Sequence, residues 1–117
     1  MNVFFNGRIA KKALVEIYVM NVCKELNIDR RKKIDMDITF SSKLQNDWLG
    51  LCTGDPTFIE IDISRNQTFF EQMLTLAHEL VHAKQFLNEE YPSEKEAKSL
   101  EYDLFGRCFP WKLTEKS

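Results

Sequence analysis

The sequence predicts an α+β domain: an N-terminal helix backing a small three-stranded, mainly antiparallel sheet, followed by two further helices. Three observations carry this. Apolar residues recur at helical spacing over residues 8–26. They alternate with polar ones over 34–40 and again over 57–63, as in strands with one wet face. A Thr-x-x-Glu capping pattern, Thr68 to Glu71, then opens an apolar helix containing His78-Glu79-Leu80-Val81-His82.

Bulk properties narrow the class. A chain of 117 residues has room for one domain, 1–117, around one core. With 44% hydrophobic and 29% charged residues, its balance is that of a globular chain. A formal charge of −2 gives no general attraction to nucleic acid. No apolar run reaches bilayer-spanning length, so no membrane partner is expected. Glu16 and Asn21 interrupt the N-terminal apolar stretch, which argues against a signal peptide. Cys23, Cys52 and Cys108 are odd in number and form no C-x-x-C pair. Free thiols in a reducing compartment follow, and hence a cytoplasmic location.

Taken in order, residues 1–7 read as a short lead ending in the turn pair Asn6-Gly7. The helix over 8–26 points Ile9, Ala13, Leu14, Ile17, Met20 and Leu26 inward, with Lys11, Lys12, Glu16 and Lys24 mostly on the other side. The basic run at 30–33 reads as a solvated connector rather than a nucleic-acid contact. The first strand, 34–40, sets Ile34, Met36 and Ile38 against Asp35, Asp37 and Thr39. A second strand at 48–53 turns through Gly54-Asp55-Pro56 into a third at 57–63, forming a hairpin. The His-bearing helix runs from the Thr68 cap to about Leu87. Ser93 and Glu96 form a second capping pattern, opening a helix from Glu94 to about Phe105 that Gly106 should stop. An aromatic tail, Cys108-Phe109-Pro110-Trp111, follows.

The chemistry lies in H-E-x-x-H. Helical residues four apart share a face, so His78 and His82 can present two imidazoles to one metal ion. Glu79, about 100° round from His78, can reach a water on that metal without being a ligand. They are the only two histidines in the chain. A catalytic zinc site usually carries three protein ligands and keeps one place open, so the third must be a carboxylate or Cys108. Glu96 stands out, in the first turn of the next helix and beside the small Ala97, with Glu94 and Glu101 as the alternatives.

His78-Glu79-Leu80-Val81-His82, a short loop and Glu94-Lys95-Glu96-Ala97 together resemble the gluzincin metallopeptidases. In length and layout the chain is most similar to the minigluzincins, minimal zincin folds, over residues 34–105. The Glu-x-Glu-Ala pattern is also similar to that of ImmA/IrrE-type metallopeptidases, in which the Glu before Ala is the ligand. The strand 58–61 leading to the motif resembles SprT-like proteins, whose third histidine is absent here.

The resemblance implies a zinc metalloendopeptidase with His78, His82 and Glu96 on Zn2+ and Glu79 as general base for hydrolysis of peptide bonds. It implies a peptide or protein substrate added as a strand to the sheet edge, at 57–63 or 48–53. The family's second oxyanion stabiliser has Tyr91, Tyr102 and Arg107 as candidates. Leu100 stands where thermolysin-like members carry the Asp that orients the first His, which leaves Asp103 or a backbone carbonyl as the candidates. The C-terminal tail, 107–117, is a candidate for self-blocking, with Cys108 able to take the open metal position, or else for covering the core. The alternative function is a non-catalytic binding or regulatory module stapled by zinc.

Overall fold

The computed structural model describes residues 1–114. Its strands are β1 (Asn2–Gly7), β2 (Asp35–Ser41), β3 (Gly50–Gly54) and β4 (Phe58–Ser64). Its helices are α1 (Lys12–Glu25), α2 (Phe69–Leu87), α3 (Glu94–Cys108) and the short α4 (Trp111–Thr114). The α+β expectation holds, but the sheet has four strands in the order β1-β2-β4-β3, not three. It is also mainly parallel: β1 and β4 both run parallel to β2, and only β3 is antiparallel, to β4.

The extra strand is β1. Asn2 and Asn6 are poor strand formers, and Asn6-Gly7 reads as a turn, so local sequence hides it. Pairing with β2 overrides that, in register from Asn2 opposite Asp35 to Gly7 opposite Phe40. Helix α1 is then the crossover of a βαβ unit. At Gly7, φ is +88°, and an added Cβ would lie 2.1 Å from the Phe40 carbonyl oxygen, so only glycine closes this end of the pair.

Helix α1 buries Val15, Tyr18, Val19, Val22 and Cys23 rather than the expected stripe; Ala13 and Ile17 are exposed. Both stripes have helical spacing, and the period cannot say which one faces the sheet. The buried stripe includes Tyr18, whose hydroxyl donates to the Met73 carbonyl of α2 at 2.8 Å, satisfying a polar group inside the core.

The remaining elements follow the pattern closely. Met36, Ile38 and Phe40 of β2 and Ile59, Ile61 and Ile63 of β4 face the helices and are buried. Asp35, Phe58 and Glu60 are exposed on the opposite face. Asp55 Oδ1 accepts hydrogen bonds from the Thr57 and Phe58 amides and the Thr57 hydroxyl, which tightens the β3–β4 turn. Gly106 does not stop α3; the helix runs on to Cys108, where Cys108 and Phe109 are buried in the core.

The tail packs. Trp111 stacks on Phe70 and meets Phe105 and Phe109 edge-on or tilted, and its indole donates to the Gly106 carbonyl at 2.9 Å. Aromatic clustering of this kind contributes beyond simple area burial. Residues 115–117 of the expected self-blocking segment lie outside the described residues. No helix among the described residues is long and apolar enough to cross a membrane.

Candidate metal centre

Helix α2 is the keel of the site. It packs against β3, β4, α1 and α3. Its phase is set at the first turn by the predicted capping box: Thr68 Oγ1 accepts from the Glu71 amide, and Glu71 Oε1 accepts from the Thr68 amide at 2.8 Å. Leu76, Ala77, Leu80 and Val81 are fully buried, and that turns His78 and His82 toward the groove shared with α3 and β3.

The two imidazole rings stand 5.0 Å apart. Glu94, the first residue of α3, closes the set: its Oε1 lies 2.8 Å from His78 Nε2 and 2.7 Å from His82 Nε2. One ligand atom from each of His78, His82 and Glu94 falls within 4.8 Å of the others. The far side of each ring is also held. His78 Nδ1 lies 3.0 Å from Glu101 Oε2, and His82 Nδ1 lies 2.8 Å from Gln85 Oε1.

This donor set fits a divalent ion. With both Nδ1 atoms donating to their oxygen partners, each neutral ring turns an Nε2 lone pair toward the Glu94 carboxylate. Three acceptors then converge with no hydrogen between them. Only a cation, or protons on the rings, relieves that repulsion. Two imidazoles and one carboxylate with a further place open is a set that zinc accepts.

Glu79 is 7% exposed and is not one of the converging ligands. Burial pushes its carboxyl up to about 6, although His78 and His82 pull the other way. Burial opposes charge on His82, but its bonds to Gln85 and Glu94 and the charge of Glu79 outweigh that and raise its pKa. The Glu94 carboxyl is desolvated, yet the two histidines hold it below the ordinary range.

Strand β3 roofs Glu79. A Cβ on Gly50 would come within 2.5 Å of Thr75 Cγ2 and 3.0 Å of Glu79 Oε2. A glycine is needed because backbone approaches side chain here, not because of its own torsions. Gly50→Ala is expected to cost about 1–3 kcal/mol as β3 is pushed off α2, read as a lower midpoint in urea. A cleft runs past this point. A cavity of about 380 Å³ lies toward Leu49, Leu74 and Lys98, and another of about 380 Å³ toward Cys52, Phe86 and Pro92; Trp48, Gly50, His78 and Glu79 line both.

Several expectations need correction. Glu96 is not at the histidines: its carboxylate takes Lys84 Nζ at 3.0 and 3.1 Å and Gln85 Nε2 at 2.8 Å. Glu94 stands in its place: the first residue of α3 meets the histidines, while the third reaches α2 further along, at Lys84 and Gln85. Asp103 does not orient His78. It pairs with Arg107 at 3.2 Å, while Glu101 holds the ring. Arg107, in the last turn of α3, is further tied to Glu25 at 3.0 Å and does not line the cleft at the histidines. Tyr91 and Tyr102 are 92% and 70% exposed and do not line the cleft. Cys108 is buried at the far end of α3, where its carbonyl accepts from Asn21, so it does not plug the cleft. The thiol is pushed up to about 11, chiefly by burial, which disfavours the thiolate a metal would need.

The sequence did carry a signal for two of the residues it ranked lower. Glu94 and Glu101 are seven apart and share one face of α3, whereas Glu96 lies about 200° from Glu94. Gln85, three after His82, and Gly50, in a loosely patterned strand, gave no comparable signal. No known family model, curated protein or solved structure matches the chain.

Proposed function

We propose that the protein is a zinc-dependent metallopeptidase of gluzincin type on a minimal zincin fold, hydrolysing peptide bonds with Glu79 as general base. The observation that carries this is the convergence of His78 Nε2, His82 Nε2 and Glu94 Oε1 next to a buried carboxylate that is not among them. Zinc in that place supplies Lewis acidity, which acidifies water and polarises a carbonyl. Glu79 then takes a proton from the attacking water and passes it to the leaving amine. Burial raises its pKa, which makes the carboxylate a stronger base for that proton.

The substrate is proposed to be an extended peptide lying along β3. Of the two strands offered from the sequence, β4 is paired on both sides, by β2 and β3, so only β3 presents a free edge to the cleft. Backbone hydrogen bonds along that edge would hold the chain, with its side chains alternating into and out of the cleft. Three free cysteines are in keeping with action in the cytoplasm.

The deciding experiment offers the zinc-loaded protein a mixture of unstructured peptides and follows cleavage by mass spectrometry. Cleavage should stop on chelation and return with zinc. If zinc is bound and its removal lowers the melting temperature, but no peptide is ever cut, the protein is a zinc-stapled binding module instead.

A further inference from the structure

Gln85 is 1% exposed, a polar side chain inside the core of α2. A buried amide is costly unless its hydrogen-bonding capacity is met, and here all of it is. Oε1 accepts from His82 Nδ1 at 2.8 Å and from the Ser93 amide at 3.1 Å. Nε2 donates to the Ser93 carbonyl at 3.1 Å and to Glu96 Oε1 at 2.8 Å.

The orientation of this amide is dictated by the backbone of Ser93, not by the histidine. Turning it over would set NH2 against the Ser93 N–H, and oxygen against both the Ser93 carbonyl and the Glu96 carboxylate. His82 Nδ1 therefore faces an oxygen that can only accept, and must itself carry the hydrogen. The neutral ring is left with its lone pair on Nε2, aimed at Glu94. Ser93 is also the N-cap of α3, its Oγ accepting from the Glu96 amide at 3.1 Å. The residue after it is Glu94. One side chain thus sets the tautomer of one ligand and anchors the backbone that delivers another. Glu96 completes the clasp by accepting from Gln85 while held by Lys84, which also reaches Glu90 at 3.3 Å.

We infer that Gln85 is the positioning residue of the metal centre, holding His82 as the Nδ1–H tautomer and locking the start of α3 so that Glu94 meets it. This rests on His78, His82 and Glu94 being the metal ligands. Partners of this kind typically change metal affinity 10- to 100-fold. The role differs from ordinary packing, because it predicts where a proton sits.

The test compares wild type with Gln85→Leu and Gln85→Glu. Long-range proton–nitrogen NMR of the metal-free full chain, at a pH where His82 is neutral, reads the tautomer. Wild type and Gln85→Glu, which keeps an accepting oxygen, should show Nδ1–H. Gln85→Leu leaves Glu94 as the only acceptor for the ring and should show Nε2–H. Zinc affinity should fall about 10- to 100-fold in Gln85→Leu. Gln85→Glu keeps the Nδ1–H tautomer but sets its second oxygen against the Ser93 carbonyl and Glu96, so it too should bind zinc less tightly than wild type. Gln85→Met, of nearly the same length, replaces the leucine variant if that does not fold. If wild type binds zinc but the apolar variant binds it equally tightly and keeps Nδ1–H, the role of Gln85 is overturned alone. If wild type takes up no zinc, the metal centre and the role built on it fall together.

Discussion

Glu79→Gln is expected to bind zinc as tightly as wild type and to lose about 100- to 10,000-fold in kcat/KM for peptide hydrolysis. That is roughly 3 to 5 kcal/mol of transition-state stabilisation. The substitution is nearly isosteric, so the close fit under Gly50 survives, with Glu79 Oε2 the atom a Gly50 Cβ would approach to 3.0 Å. What the amide lacks is a basic oxygen that can take a proton and give it back. Because Glu79 is not among the converging ligand atoms, metal content should not change. Zinc loss in this variant would make Glu79 a ligand or a structural prop and would remove the general base from the proposal. The pH profile supplies a second readout. The carboxyl of Glu79 is raised to about 6 by burial. A bound divalent cation favours its charged form, so in the loaded enzyme the acid limb should fall below that value. Activity should drop as pH falls through the limb, and the residual activity of Glu79→Gln should not show it.

How much of this could be read from the sequence depended on whether the determinant was local. The capping box at Thr68 and Glu71, the alternation of Ile59, Ile61 and Ile63, and the four-residue spacing of His78 and His82 are each settled within one element, and each is found where expected. β1 was not legible, because what makes Asn2–Gly7 a strand is a partner 33 residues further on, Asp35 for Asn2. The inward face of α1 was not legible either, since Ile17 and Tyr18 both belong to well-spaced stripes and only the position of the Met73 carbonyl decides between them. The choice between Glu94 and Glu96 was tertiary in the same sense. Both follow the Ser93 cap, and the capping pattern favours Glu96 as a feature while saying nothing of which carboxylate meets the histidines. Glu96 does not even close the capping box, since the Ser93 amide is taken by Gln85.

That choice yields the sharpest contrast in zinc binding. Glu94→Ala is expected to lower zinc affinity by at least about 100-fold, more than the loss of an outer partner would, because a direct ligand is removed. Glu96→Ala should leave zinc bound at one equivalent. Glu96 is held by Lys84 and Gln85 in a half-buried cluster, and its removal leaves the buried Gln85 amide one acceptor short, so a cost of about 1–3 kcal/mol should appear as a fall in thermal stability. Elemental analysis of both variants after dialysis against limiting chelator separates the two cases in one experiment. The reverse result, zinc kept by Glu94→Ala and lost by Glu96→Ala, would mean that metal binding rotates the first turn of α3 by about two residues. Glu101 would then leave His78 as well, since it shares the Glu94 face of the helix. Glu101→Ala should therefore weaken zinc binding if Glu94 is the ligand and leave it unchanged if Glu96 is. The two arrangements thus differ at a second position, seven residues from the first.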